Sequence, residues 1–258
     1  MKTKTIKTIV AAIILLLNFS ALAQTINRSA YTSLSSFDNG YALYTIKTYT
    51  SLAYGLIDKN GVKQVECINK NGILPTSKWY LLGDELSKKD NPDRHLELAI
   101  YCYERDNAPR TEGISKKRIG EIYYREAGKN YYNLAFDYYL KASKSGTWKL
   151  REFRDVYIVH YTEFDVLHTL AWMYFFGQGT AKSAKDAGIH LEKARKKGEK
   201  ILTNFSRTQN LSNMHAFMGE IYEMIGDKKR ALQYYKRSSH SAAAQRIKAV
   251  QSGNMYSF

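Results

Sequence analysis

Short runs of alternating apolar and polar residues fill the chain up to about residue 70, and from Lys78 onward the apolar positions recur with helical spacing. The early runs are "YALYTIKTY", "LAYGLID" and "VKQVECI", rich in β-branched and aromatic residues. Asn39-Gly40, Asn60-Gly61 and Asn71-Gly72 punctuate them, and Asn-Gly is the dipeptide best suited to the positive φ angles of a tight hairpin turn. The pattern predicts three short antiparallel strands. So small a sheet buries too little of its own surface to stand alone, so it is expected to pack on whatever follows. Around Pro75 the texture changes, and Pro92 and Pro109 fall in polar breaks where helices end.

In the helical region one arrangement recurs. Tyrosine-containing segments end in glycine at "RIGEIYYREAG", "TLAWMYFFGQG" and "FMGEIYEMIG", and each is followed by a second helical segment: "LAFDYYLKASKSG", "DAGIHLEKARKKG" and "KRALQYYKRSSHSA". In the second segments Ala135 and Ala142, Ala187 and Ala194, and Ala231 and Ser238 share one spacing, with Gly146, Gly198 or Ala242 following. A fainter copy, "YLLGDELS" then "LELAIYCYERD", places Gly83 and Ala99 in the same roles. Two antiparallel helices approach closely only where small residues sit at the crossing, so Gly120, Ala171 and Gly219 are expected there. A glycine after the tyrosine ends the first helix. One pair cannot bury its apolar face by itself, which predicts stacking of successive pairs. The fold class expected is mainly α: an α-α superhelical solenoid of about four helical-hairpin repeats with a small N-terminal antiparallel β-sheet cap.

Two resemblances sharpen this picture. "FDNGYALYTIKTYTSLAYGLIDKNGVKQV" resembles a single WG repeat through Phe37, Gly40, Ala42, Tyr54, Gly55, Ile57, Asp58 and Gly61, with Tyr54 where tryptophan is frequent. That implies a β module and no catalysis. The helical pattern resembles the Sel-one-like repeats, relatives of the tetratricopeptide repeats, over about residues 80–248, most closely from "LAWMYFFGQG" to "EKARKKG". The segments "TWKLREFRDVYIVHYTEF" and "EKILTNFSRTQNLSN" read as insertions that lengthen the units. The domain organisation expected is a signal peptide over 1–23, a WG-repeat-like segment over 24–75 and a helical repeat domain over 76–250.

The first residues set the expected location. "MKTKTIK" supplies lysines, "TIVAAIILLLNFS" an apolar stretch and "ALA" a small-residue end before Gln24, the sequence of features of a secretory leader cleaved after Ala23. The uncharged stretch is shorter than the ~20 residues a membrane-spanning helix needs. The protein is therefore expected to be exported, periplasmic or secreted, with no membrane insertion. In an oxidising compartment Cys67 and Cys102 form either a disulfide, whose loop of roughly 35 residues would contribute ~3–4 kcal/mol, or two buried thiols. The formal net charge of +15 favours acidic partners. The basic set Lys193, Arg195, Lys196, Lys197 and Lys200, then Lys228, Lys229, Arg230, Lys236 and Arg237, reads either as a solvated outer face or as an anchoring face for an anionic envelope polymer. Export argues against nucleic acid.

The search for chemistry returns little. "GQGTAK" is not a phosphate loop, because Gly-x-x-x-x-Gly-Lys-Ser/Thr occurs nowhere. There is no Gly-x-Ser-x-Gly elbow, and the histidines show no metal-ligand spacing. No catalytic residue, metal or cofactor is expected. By position, the tetratricopeptide resemblance implies a concave partner-binding groove lined by Asp84, Glu121, Tyr124, Arg125, His168, Trp172, Phe175, Glu220 and Glu223, an acidic and aromatic set in a basic protein. The function expected is a non-enzymatic protein-protein interaction module or scaffold of the cell envelope, whose partner offers a basic segment. An immunity protein neutralising a periplasm-delivered toxin is the alternative in the same class. A hydrolase acting on envelope polymer is the alternative from another.

Overall fold

The structure, a computed structural model, describes residues 31–47, 52–69, 77–90, 94–150, 156–206 and 211–258. The expected leader lies outside them, and so do the Asn71-Gly72 pair and the side chain of Cys67. The described chain is mainly helical, with a four-stranded antiparallel sheet near its start. Its contacts divide it into two compact units, Met1–Arg105 and Asp106–Phe258.

The first unit opens with strands β1 (Ser33–Leu34), β2 (Tyr41–Lys47), β3 (Leu52–Asp58) and β4 (Lys63–Asn69), paired in sequence order. The three expected strands are all present, and the two-residue β1 adds an edge that is too short to read from periodicity. Asn39 and Gly40, with φ of 49° and 84°, make the tight turn between Asp38 and Tyr41. Gly55 stands opposite Tyr44. A Cβ at Gly55 would overlap the Tyr44 ring, which lies across the glycine and is fully buried. An aromatic ring covering a cross-strand glycine restores packing that glycine cannot supply.

Two helices, α1 (Lys78–Ser87) and α2 (Leu96–Glu104), complete this unit and pack on each other. Tyr101 of α2 donates a 2.8 Å hydrogen bond to the Asp38 carbonyl, and Arg105 covers the Tyr101 ring while holding the Asp38 carboxylate. The β-turn and the helical pair are thereby tied together. Cys102 is buried at the heart of α2.

The second unit runs α3 (Glu112–Glu121), α4 (Tyr132–Ser143), α5 (Tyr157–Phe176), α6 (Ala184–Phe205), α7 (Ser212–Ile225), α8 (Lys228–Lys236) and α9 (Ser241–Gln251). A π-helical turn at Ile122–Glu126 extends α3. The strongest packing joins α3 with α4, α5 with α6 and α7 with α8. At each crossing the expected small residue is in place. A Cβ on Gly120 would come within 3.0 Å of the Tyr139 ring, and one on Gly219 within 2.5 Å of Tyr235. In the first unit Gly83 meets Tyr103 in the same way, at 2.7 Å. Tyr103, Tyr139 and Tyr235 each lie one helical turn beyond the recurring alanine, Ala99, Ala135 or Ala231. In the α5–α6 pair the glycine becomes Ala171 and the tyrosine becomes Leu191, both buried in one core. Where the first helix carries an extra methyl, the second carries the smaller side chain.

The "GQG" glycines are turn residues. Gly177 ends α5 in the left-handed conformation at φ 69°, and Gly179, at φ 74°, brings its backbone against that of Tyr132, where any side chain would overlap the Tyr132 carbonyl. Much of the two expected insertions is helical: "YIVHYTEF" is the first part of α5 and "EKILTNF" the last part of α6. Those are the two longest helices among the described residues. Gly198 lets α6 pass close to Met218 and Phe164.

Candidate functional site

Side chains from α3, α5 and α7 form a continuous polar and aromatic row. Lys117, only 8% exposed, lies between Glu121 at 2.7 Å and Asp165 at 2.8 Å, so a single buried ammonium joins α3 to α5. A charge this deep is tolerated only because both carboxylates pair with it. One turn along α5, His168 stacks on Phe164 with Phe217 tilted against it, and its Nε2 lies 3.2 Å from a Glu220 carboxylate oxygen, too poorly aligned for a hydrogen bond. That contact joins α5 to α7.

Next in the row is Trp172, half-buried and 4.4 Å from the Phe176 ring. Nearby, the Tyr124 hydroxyl donates 2.5 Å to Gln178 while its ring stacks on Tyr132. Burial pushes the Tyr124 phenol up and the neighbouring Tyr132 adds to this, against the pull of Arg125. Arg125 is exposed beside Tyr124. Glu121, Tyr124, Arg125, His168, Trp172 and Glu220 thus belong to one neighbourhood. Asp84, on α1, belongs to the first unit and is half-buried there.

Three of the sequence-derived residues lie deeper than a groove lining requires: His168, within the row, is 6% exposed, and Glu223 and Phe175 are deeper still. Glu223 is wholly buried: it accepts 2.7 Å from the Tyr235 hydroxyl and 2.9 Å from the Tyr256 amide, and it is ion-paired with Arg246. A carboxylate with this many internal donors holds the chain's own elements together. Phe175 is 3% exposed and packs edge-on against Phe258 at 5.0 Å. Much of the expected acidity is also used up within the chain. Glu121 is neutralised by Lys117 and Arg118 and Glu223 by Arg246, whereas Glu220 lies against His168 without a hydrogen bond. What the row leaves available is chiefly aromatic.

The residues that sequence reasoning missed come from the segment Gly253–Phe258, which follows α9 as irregular backbone. Tyr256 inserts edge-on against Trp172 at 5.4 Å and Phe176 at 5.5 Å. Arg246 lies over its ring at 4.0 Å and also binds the Asn254 carbonyl at 3.2 Å. Burial raises the Tyr256 phenol to about 12, against the pull of Arg246. Beside Phe258 a cavity of about 470 Å³ opens, lined by Leu191, Met224, Ile225 and their neighbours. Only the aromatic pair Tyr-x-Phe signals this segment in the sequence, since irregular backbone has no periodicity to read.

Among the described residues, no group of three His, Cys, Asp or Glu could hold a metal ion, and no helix is long and apolar enough to cross a membrane. No model of a known protein family matches the chain, and neither does any of the curated proteins compared with it.

Proposed function

We propose that this protein is an exported binding module whose helical pairs stack as a solenoid, and that the row on α3, α5 and α7 holds a segment of a partner protein. Packing of α4 on α5 and of α6 on α7, which joins one pair to the next in the second unit, supports the stacking, and these pairs share one build, with Gly120, Ala171 or Gly219 as the small residue. The observation that carries the binding role is the seat of Gly253–Phe258. A short irregular peptide already lies on the row, fixed by one backbone hydrogen bond to Glu223 and two aromatic anchors. Each edge-on aromatic contact is worth ~0.5–1.5 kcal/mol beyond the area it buries. The segment therefore displays the chemistry of the ligand: a short irregular peptide with aromatic side chains at alternate positions. A partner bearing that pattern displaces the segment and takes its place.

This reading changes the expected partner. With Glu121 and Glu223 engaged internally, a basic peptide gains little, while Trp172, Phe176 and Tyr124 offer aromatic surface and Arg125 an exposed cation. A panel of immobilised peptides tests it, using a chain ending at Ser252. Peptides with aromatics at alternate positions should be retained by that chain and lost by its Trp172→Ala variant. Preferential retention of lysine- and arginine-rich peptides, insensitive to Trp172→Ala, would overturn the proposal.

A further inference from the structure

Away from this row, a cleft of about 610 Å³ opens between the end of α4, α5 and α6. Five lysines line it: Lys144 from the α4 end, and Lys193, Lys196, Lys197 and Lys200 from α6. Helical spacing explains the cluster, since positions 193, 196, 197 and 200 fall on one face of α6. Arg195 points elsewhere, committed to Glu192 and Glu199 at 2.8 Å each. Among the described residues, the only carboxylate lining the cleft, Glu163, is ion-paired with Lys197. Lys196 shares Glu192 at 3.3 Å. Among the described residues, Lys144, Lys193 and Lys200 have no acidic partner. Like charges held around one concavity repel one another, and a bound anion removes that cost.

A second feature of the cleft is His190, whose ring stacks on Tyr174 at 5.6 Å and whose Nδ1 is buried without a hydrogen-bond partner. An unsatisfied buried polar atom is costly, and a turn of the ring that brings this nitrogen to a ligand oxygen in the cleft recovers that cost. The donors here are ammonium groups, which act as point charges, with no guanidinium fork of the kind that grips a planar carboxylate in two places. We propose that this cleft binds a multiply charged phosphate ligand, with Lys144, Lys193 and Lys200 as the principal charge donors and His190 at its inner wall.

The ring also reports on occupancy. Burial and then Lys193 lower the His190 pKa, while Asp186 on the same helix opposes them. Tyr174 from α5 faces the ring, and Glu163, also from α5, and Lys144 stand in the same cleft. A phosphate ligand beside His190 should move its pKa upward.

The test uses the full chain in phosphate-free buffer, with tripolyphosphate and poly(glycerol phosphate) as separate ligands and hyaluronate as a carboxylate polymer of comparable charge. Calorimetry should show saturable binding of at least one phosphate ligand, weakened about tenfold or more by Lys193→Glu with Lys200→Glu. The pair Lys229→Glu with Lys236→Glu, which makes the same charge change on exposed α8 positions, should leave affinity within about threefold. Binding of tripolyphosphate alone identifies a small-molecule source, and binding of the polymer a polymeric one. Proton NMR should show the His190 signal titrating at higher pH with ligand bound. Equal weakening by both variant pairs, equal affinity for hyaluronate, or no saturable binding by a chain with unchanged circular dichroism would each overturn the proposal.

Discussion

At Gly219 a single methyl group would come within 2.5 Å of the Tyr235 ring, whereas at Gly120 the nearest ring atoms of Tyr139 are 3.0 Å away and at Gly188 nothing lies within 4 Å. These three helical glycines therefore answer differently to alanine. Alanine gains ~1 kcal/mol over glycine in a helix interior, and a forced overlap in a packed site costs ~1–3 kcal/mol. Gly188→Ala should stabilise by about 0.5–1 kcal/mol, Gly120→Ala should be close to neutral, and Gly219→Ala should destabilise by ~1–2 kcal/mol once its helix gain is set against overlap. Urea unfolding of the three variants checks the order. The crossing positions are legible in the sequence because each pairs a small residue with a helical period. Glu223 is not. Its position parallels Tyr124, but only the packing of α9 and Tyr256 over it makes it a buried partner of Arg246.

Among the elements, α5 shows why periodicity finds some helices and overlooks others. It is apolar on almost every side, buried from Val159 to Phe175, so it lacks the polar face that marks an amphipathic helix. Its first two turns, "YIVHYTEF", are rich in β-branched residues and read as an insertion. They become helical because neighbouring helices enclose them, a tertiary effect that outweighs local preference. The α6 and α7 helices carry a pH response. Burial, then Lys193, lowers the His190 pKa, and burial, then Arg237, lowers that of His215. The unfolded chain therefore takes up protons first as pH falls through the ordinary histidine value near 6.5. Stability contributed by these two neutral rings is present above that value and declines below it. In phosphate-free buffer, the urea midpoint should fall between pH 7.5 and pH 5.5, and the double variant His190→Gln, His215→Gln should show a smaller fall. An equal fall in both proteins would count against this assignment.

For the whole molecule, the mainly helical class and the early antiparallel sheet are both visible in the alternation, the Asn-Gly turns and the small-residue crossings. The division after Arg105 is less so. The texture changes near Pro75, yet α1 and α2 share a compact unit with the sheet, because Tyr101 and Arg105 reach back to Asp38. A contact across so many residues leaves no local trace in composition. The candidate site was half legible: the sequence marks Trp172, Tyr124 and His168 by position, but not the segment that lies on them. The most direct test is titration of the labelled peptide Gly-Asn-Met-Tyr-Ser-Phe into a chain ending at Ser252, followed by fluorescence anisotropy. The account predicts saturable one-to-one binding, lost when the peptide's tyrosine is replaced by alanine. No saturation up to about 1 mM, by a chain whose circular dichroism shows it folded, would contradict it.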